Sequence, residues 1–144
     1  MPDIVWLKIV EFRDIEFLQT IRNANKDYFF NSKPVTFEDT KNWVFKCKDN
    51  YAVEAFIIMR GNEYVGTITV NYRTGEIGNV AILPNFQGEG IGQEAMKIAI
   101  GLVDLEAKGQ VTPHVNVQSN NTKAFRFYEK LGFKLTRVRM DLYE

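Results

Sequence analysis

The stretch LPNFQGEGIGQEAM, Leu83 to Met96, places glycines at positions 88, 90 and 92, between an apolar run and a helical pattern. Glycines at a strand-to-helix turn let backbone amides approach a ligand, and the helix beyond presents unpaired N–H groups and partial positive charge. Such a turn suits a phosphate group. The alternative is a packing role, in which the glycines only seat the helix against a sheet.

Two common phosphate-binding motifs are excluded by spacing. A dinucleotide fingerprint needs G-x-G-x-x-G, but counting from Gly88 the last position is Gln93, and the preceding strands form a meander instead of a βαβ unit. A nucleotide P-loop needs Gly-Lys-Ser/Thr, but Gly92 is followed by Gln93 and Glu94. What remains is a pyrophosphate held at a helix start that follows an antiparallel sheet.

The periodicity along the chain predicts one α+β domain of α/β/α type, with a mixed, largely antiparallel central sheet flanked by helices. We expect the order β-α-α-β-β-β-α-β-α-β. Strands are predicted within residues 4–12, three times within 51–83, over 111–117 and over 133–143. Helices are predicted after a cap at Asp14, after a capping box of Thr36 and Asp39, up to Gly109, and up to Gly132.

Composition narrows the class of protein. A length of 144 residues fits one domain. The 18 Lys plus Arg equal the 18 Asp plus Glu, so the net charge gives no indication of a nucleic-acid partner, and we expect none. No apolar run reaches the roughly 20 residues that span a bilayer, and the first residues lack a leader pattern, so no membrane partner and a cytoplasmic location are expected. One cysteine, Cys47, and one histidine, His114, exclude an internal disulfide and a Cys/His zinc site, and we expect no metal.

Two motifs resemble those of one enzyme family. The stretch VAILPNFQGEGIG resembles the acetyl-CoA motif of the GNAT family of N-acetyltransferases, Gln/Arg-x-x-Gly-x-Gly/Ala, through Gln87, Gly90 and Gly92. The stretch NTKAFRFYEKLGF, Asn121 to Phe133, is similar to a second motif of that family. Two motifs at matched separation are more specific than one. The resemblance covers roughly residues 51–133, and the first fifty residues match only loosely.

The resemblance implies acetyl-CoA as co-substrate and a single N-acetyltransferase domain over residues 1–144. The amides of the glycine loop would hold the pyrophosphate, and the strand before it would pair with the pantetheine arm like an added strand. Asn121 would contact the cofactor, although it also suits an ordinary helix cap. The implied cofactor-binding residues are Val80, Ala81, Ile82, Gln87, Gly88, Glu89, Gly90, Ile91, Gly92 and Asn121.

Two residues are implied in catalysis. Tyr128 falls on the family's general-acid tyrosine, which would protonate the departing thiolate, although an aromatic residue in this stretch also suits a core. The family's strand glutamate would fall on Gly78, which cannot act as a base. Glu76 is the nearest carboxylate, and strand alternation would place it on the same face as Gly78 and Val80. It equally suits a solvated strand end.

The acceptor is less defined by the sequence. The first two helices usually cover the acceptor in this family, and here that region contains Arg22, Asn23, Tyr28, Phe29, Phe30 and Trp43. We expect acetyl transfer to a primary amine of a small molecule, with a nucleotide-linked amino sugar as leading candidate, by direct attack in a ternary complex. The alternatives are a peptide or protein N-terminus and a non-catalytic acetyl-CoA sensor. A homodimer is common for this fold.

Overall fold

The computed structural model describes residues 3–25 and 33–142. The predicted fold class is confirmed, with helices on both sides of an antiparallel sheet. The strands are β1 (Val5–Ile9), β2 (Val53–Arg60), β3 (Glu63–Asn71) and β4 (Ile77–Ile82). The helices are α1 (Ile15–Ala24), α2 (Phe37–Lys48), α3 (Ile91–Ala107) and α4 (Thr122–Lys130).

The sheet has the order β1-β2-β3-β4, and every neighbouring pair is antiparallel. The predicted three-strand meander is therefore confirmed as β2 to β4. Alternation along each strand sends apolar residues to both faces, which is why the strands read as nearly continuous hydrophobic runs. Both faces of the sheet are consequently covered by helices.

A separate apolar core lies on each face. On the first face, α3 packs against the centre of β2, β3 and β4 through Ala95, Met96 and Ala99, all of which are fully buried. On the second face, Leu18 of α1 and Val44 of α2 pack against the alternate residues of β2. Burial of the larger side chains, such as Met96, Leu18 and Val44, contributes roughly 1.5–3 kcal/mol each, so both layers stabilise the sheet.

Helix capping follows the sequence in one place and departs from it in another. The predicted capping box of α2 is confirmed, because Thr36 Oγ1 accepts from the Asp39 amide at 3.0 Å and Asp39 Oδ2 accepts from the Thr36 amide at 3.0 Å. Asp14 precedes α1, but its carboxylate makes no cap bond to that helix. It accepts instead from the backbone amide of Glu11, because two side chains hold it on the sheet side, as described below.

The two later strands that the pattern predicts are not regular strands in the described residues. Residues 111–117 make one parallel bridge, between His114 and Glu76. Pro113 lacks an N–H group and interrupts any longer ladder. Residues 133–142 alternate in polarity but remain largely exposed and unpaired, with Leu135 71% and Met140 91% exposed. Alternation alone predicts a strand only where a neighbour supplies hydrogen bonds and packing.

Candidate active site

The glycine loop presents a row of backbone donors. Gly88 and Gly90 have φ of 81° and 79°, a left-handed backbone that glycine adopts without steric cost. Within residues 3–25 and 33–142, none of the amides from Gly88 to Gln93 has an acceptor, and the first bond of α3 is donated by Glu94 to the Gly90 carbonyl at 3.1 Å. Six unpaired amides next to the positive end of a 17-residue helix are an arrangement suited to an anion.

The surface of this loop is open to a ligand. A Cβ atom built on Gly88 or Gly90 would meet no atom within 4 Å. At Gly92 it would lie 3.4 Å from the Phe127 ring, so this third glycine seats α3 against α4. Of the three glycines of the motif, Gly92 therefore has a packing role, whereas Gly88 and Gly90 face open space.

Gln87 fixes the loop to the end of β4. Its side-chain Nε2 donates to the carbonyl of Ile82 at 2.9 Å. The amide of Leu83 donates to the Val65 carbonyl of β3 at 2.9 Å, so the chain is held to the sheet immediately before the loop. The side chain of Gln87 thus supports the loop and leaves the backbone amides that follow it unoccupied.

The far edge of β4 is unpaired along most of its length. At its start, the Ile77 amide donates to the His114 carbonyl at 2.8 Å, and the His114 amide donates to Gly75 at 3.0 Å. In the described part of the chain, no further backbone bond joins β4 to residues 111–117. The two segments are joined at one end only, which leaves the edge from Gly78 to Ile82 available to an extended ligand.

A β-bulge in β4 was missed from the sequence. Thr69 pairs with Gly78 and Thr67 with Ala81, so two residues advance on β3 while three advance on β4. The extra residue is accommodated at Asn79, whose φ of 50° lies in the left-handed region that asparagine tolerates better than most residues. An asparagine after a glycine within a strand pattern was the signal that could have indicated it.

The bulge corrects the predicted orientation of Val80. Gly78 pairs with Thr69, on the face of α1 and α2, and Glu76 shares that face by alternation. Val80 packs with Ile77 in the core on the α3 face. Glu76 and Gly78 therefore share a face, as predicted, but Val80 lies on the other one because the extra residue reverses the alternation.

Tyr128 lies in α4, against the α3 face of the sheet. Its ring contacts Phe127 and Phe133 edge-on, at centroid distances of 5.1 and 5.6 Å. Burial raises the pKa of Tyr128 to about 12, so the phenol is protonated throughout the neutral range. Its hydroxyl has no hydrogen-bond partner in the described ranges, which leaves the donor available to a ligand.

Glu76 stands at the opposite end of β4 from the glycine loop. Its Oε2 accepts a hydrogen bond from the side-chain amide of Asn116, so the carboxylate is held beside residues 111–117. It is half-buried and is thus not a freely solvated strand end. A Cβ atom built on Gly78 would meet nothing within 4 Å, so there is open space beside Glu76.

Asn121 is the cap of α4. Its Oδ1 accepts from the Ala124 amide at 3.1 Å, as the alternative interpretation of its motif predicted. The capping bond uses the oxygen and leaves the Nδ2 group for another partner. A cofactor contact through Nδ2 stays a prediction.

Several candidate acceptor residues have structural roles. Asn23 donates through Nδ2 to the Val35 carbonyl at 3.0 Å and accepts from the Val35 amide at 2.8 Å, which uses both ends of its side-chain amide. Trp43 packs against the core on the α1–α2 face. Burial lowers the pKa of Arg22. Tyr28, Phe29 and Phe30 lie outside the described residues.

Cys47 is not an activated nucleophile. Burial, together with the nearby charge of Glu54, raises the pKa of its thiol to about 11, which favours the protonated and unreactive form. In the described ranges, no helix is both long and apolar enough to cross a bilayer, and no cluster of three or more His, Cys, Asp and Glu residues could bind a metal ion.

Comparison with known proteins assigns the family. The profile of the Acetyltransferase (GNAT) family matches residues 18–133, which include the glycine loop, the β4 edge and α4. The chain belongs to this family. Acetyl-CoA is the co-substrate of GNAT acetyltransferases, in agreement with the co-substrate that the two motifs imply.

Curated relatives match part of the chain. The ribosomal protein bS18-alanine N-acetyltransferase of Salmonella typhimurium is 35% identical over 65 residues, which are 45% of this chain and 43% of the relative. The mycothiol acetyltransferase of Streptomyces griseus is 35% identical over 87 residues, 58% of this chain and 28% of the relative. The matched stretches thus span less than half the length of either relative.

A solved structure extends the similarity in fold. The spermidine N-acetyltransferase of Vibrio cholerae, determined in complex with CoA and spermine, superimposes with a TM-score of 0.73 and 22% identity. The superposition covers 89% of this chain and 79% of that one. At this identity the likeness establishes the fold, and acceptor identity has to be argued from this chain's own residues.

Proposed function

We propose that this domain, residues 1–144, is an acetyl-CoA-dependent N-acetyltransferase that acts on a primary amine. The observation that carries the proposal is the row of unpaired amides from Gly88 to Gln93, which lies at the start of α3 and beside the free edge of β4. A pyrophosphate satisfies those donors, and an amide-containing arm satisfies the strand edge. Acetyl-CoA contains both groups in one molecule.

The remaining residues divide the chemistry of transfer. The amine nitrogen attacks the thioester carbonyl, forming the C–N bond. The C–S bond then breaks to release the thiolate of CoA, and the nitrogen loses one proton to solvent to leave the neutral amide. Binding both reactants in one ternary complex makes the attack effectively unimolecular. Unpaired amides along β4 near Gly78 are candidates to stabilise the developing oxyanion, as backbone donors do in other acyl transfers.

Tyr128 supplies the proton to the departing sulfur. A phenol with a pKa of about 12 stays protonated at the pH of the reaction, and its hydroxyl has no competing partner in the described ranges. The burial that raises the pKa of the phenol also raises that of a thiol departing beside it, so the thiolate is a stronger proton acceptor there than in water. Tyr128 is therefore suited to act as donor in this site.

Glu76 is our candidate for the general base. It shares a face with the open space at Gly78, and the bond from Asn116 keeps its carboxylate in one place. An ammonium substrate would transfer a proton to it directly or through one water molecule before the attack.

For the acceptor we retain a small-molecule amine, and a nucleotide-linked amino sugar is the first compound to test. A protein N-terminus is the second candidate, because the Salmonella relative is named for that activity. A homodimer and a cytoplasmic location belong to the same proposal. They affect neither the chemistry nor its test.

The proposal is tested by thiol release from acetyl-CoA with a panel of acceptors: amino-sugar nucleotides, polyamines, thiol-containing amino sugars and alanine-initiated peptides. Turnover with one class identifies the acceptor. Tyr128→Phe should lower kcat by roughly 10² to 10⁴, the usual contribution of an acid–base group, while CoA binding is retained. The matched control is Tyr51→Phe, because Tyr51 is fully exposed at 103% and should change nothing.

The outcomes separate three interpretations. Turnover that survives in Tyr128→Phe would contradict the role of the tyrosine. Tight acetyl-CoA binding without turnover on any acceptor would favour the sensor. Absence of acetyl-CoA binding at any concentration tested would overturn the proposed function itself.

A further inference from the structure

Arg60, the last residue of β2, reaches from the sheet to the glycine loop. Its Nη1 donates to Glu89 Oε1 at 3.0 Å, and its guanidinium carbon lies 4.8 Å from the centroid of the Phe86 ring. Its Nη2 donates to Glu63 Oε1 at 3.2 Å, within the β2–β3 hairpin. Phe86 and Glu89 flank Gln87 and Gly88, so Arg60 contacts both sides of the first half of the loop.

The guanidinium group is held in place by these contacts. Only 24% of the Arg60 side chain is exposed, and its Nε–H is buried without a partner in the described part of the chain. An unpaired buried donor is costly, so the contacts with Glu89, Glu63 and Phe86 must outweigh that cost. Arg60 is therefore held more closely than a fully exposed surface arginine.

The contact with Glu89 matters because of where this carboxylate lies. Glu89 stands between Gly88 and Gly90, in the middle of the unpaired amides, and 47% of its side chain is exposed. An unpaired carboxylate there would repel a pyrophosphate and would itself be a suitable acceptor for the loop amides. Arg60 neutralises the carboxylate and draws it toward the end of β2.

We infer that Arg60 is a positioning residue for acetyl-CoA, which makes the glycine loop able to bind a pyrophosphate by neutralising Glu89 and holding it away from the loop amides. The inference rests on the proposed function, since it assumes that the loop binds acetyl-CoA. It makes a prediction that direct phosphate binding by Arg60 does not make: removal of the Glu89 charge should replace the need for Arg60.

A double-mutant cycle on CoA affinity, measured by isothermal titration calorimetry, tests this directly. Arg60→Ala should raise the Kd of CoA about tenfold, the size expected of one uncompensated charge near a phosphate in a partly solvated site. In the Glu89→Gln background, Arg60→Ala should change Kd by less than about threefold, because no carboxylate is left for the arginine to neutralise. Turnover should show the same pattern in KM for acetyl-CoA, with kcat unchanged.

The matched control is Glu63→Gln, which removes the other carboxylate that Arg60 contacts and should leave Kd unchanged. If Arg60→Ala does not fold, Arg60→Gln replaces it in the cycle. A double variant as weak as the single arginine variant would overturn the inference, and so would an arginine variant with wild-type affinity. If wild-type protein binds no CoA, the proposed function fails, and that outcome is distinguishable because it precedes the cycle.

Discussion

The two faces of the sheet differ in whether the polar groups beside them are hydrogen-bonded within the fold. Beside α3, the glycine loop leaves six consecutive backbone amides without an acceptor in the described ranges. On the α1–α2 face, two polar side chains are hydrogen-bonded within the fold. Asn23 bonds to the Val35 backbone, and Asp14 bonds to Lys8, Tyr64 and the Glu11 amide. The unpaired amides of the loop are available to a ligand, whereas the paired side chains hold α1 and the segment before α2 to the rest of the fold.

The Asp14 cluster shows how strongly the second face is held together. The carboxylate is 2% exposed, and it accepts from Lys8 Nζ at 2.6 Å and from the Tyr64 hydroxyl at 2.6 Å. Burial by itself raises the pKa of Asp14, but the bonds from Lys8, Tyr64 and the Glu11 amide outweigh it, and the net pKa lies below 3.8. This buried charge is therefore fully paired and joins β1, β3 and α1.

The largest expected effect is a loss of stability in Asp14→Ala, with no change in CoA binding. Removing the carboxylate leaves the nearly buried Lys8 with only the more distant Glu11 carboxylate, at 3.5 Å. Loss of one member of such a buried pair costs about 3 kcal/mol of unfolding free energy. Urea unfolding measures the loss, and calorimetry with CoA should give the wild-type Kd for the folded variant. An increase of Kd in the folded variant would show that the two faces are not independent.

A smaller effect, on kcat, is expected for substitution of the candidate base Glu76. Glu76→Gln should lower kcat roughly 10- to 100-fold near neutral pH, because a neutral amide cannot take the ammonium proton, and the loss should shrink at high pH where the amine is already neutral. The open space beside Gly78 allows a carboxylate to be placed there, which should restore activity to Glu76→Gln. Gly78→Glu in the same chain should recover part of kcat, and if the pH–rate profile of Glu76→Gln parallels that of the wild type, Glu76 is not the base.

A comparison of two glycines sharpens the account of the loop. Gly90→Ala places a Cβ at φ of 79°, which strains the backbone by about 1 kcal/mol and crowds the amides, so Kd for CoA should rise several-fold. Gly101→Ala is the matched control inside α3, where a Cβ also meets no atom within 4 Å. It should raise stability by about 0.5–1 kcal/mol and leave Kd unchanged.

The smallest effect is on the pH dependence of stability. Because the pKa of Asp14 is lower in the folded protein than its ordinary 3.8, its stabilisation is fully present above pH 4. It is lost as pH falls from 3.8 through the folded pKa. Urea unfolding between pH 2.5 and 6 should show this slope in the wild type and a reduced slope in Asp14→Asn, and equal slopes would contradict the role given to Asp14.

Features determined by adjacent residues were predicted from the sequence better than features determined by contacts across the fold. The glycine loop is a local pattern, so its turn, the helix after it and the unpaired amides follow from adjacent residues such as Gly88 and Gly90. The Asn121 cap and the Thr36–Asp39 box are local in the same sense. The acceptor residues were chosen by type, and Asn23 proved to be bonded to a segment 12 residues away.

Long-range pairing explains the other departures. The bulge at Asn79 depends on the register between β3 and β4, and it reversed the predicted orientation of Val80. The incomplete strand at residues 111–117 depends on which neighbour its single bridge reaches. The pair of Arg60 and Glu89 joins residues 29 apart and could not be predicted from either stretch alone.

The most direct test of the account is a titration of ¹⁵N-labelled protein with CoA, followed by amide NMR shifts. If the unpaired amides bind the cofactor, the largest shifts will fall on Gly88 to Gln93 and extend to the β4 edge, while the amides of Asn23 and Val35 stay unchanged. Saturable CoA binding with shifts at Gly88 to Gln93 no larger than those elsewhere would contradict the central claim that these donors form the cofactor site.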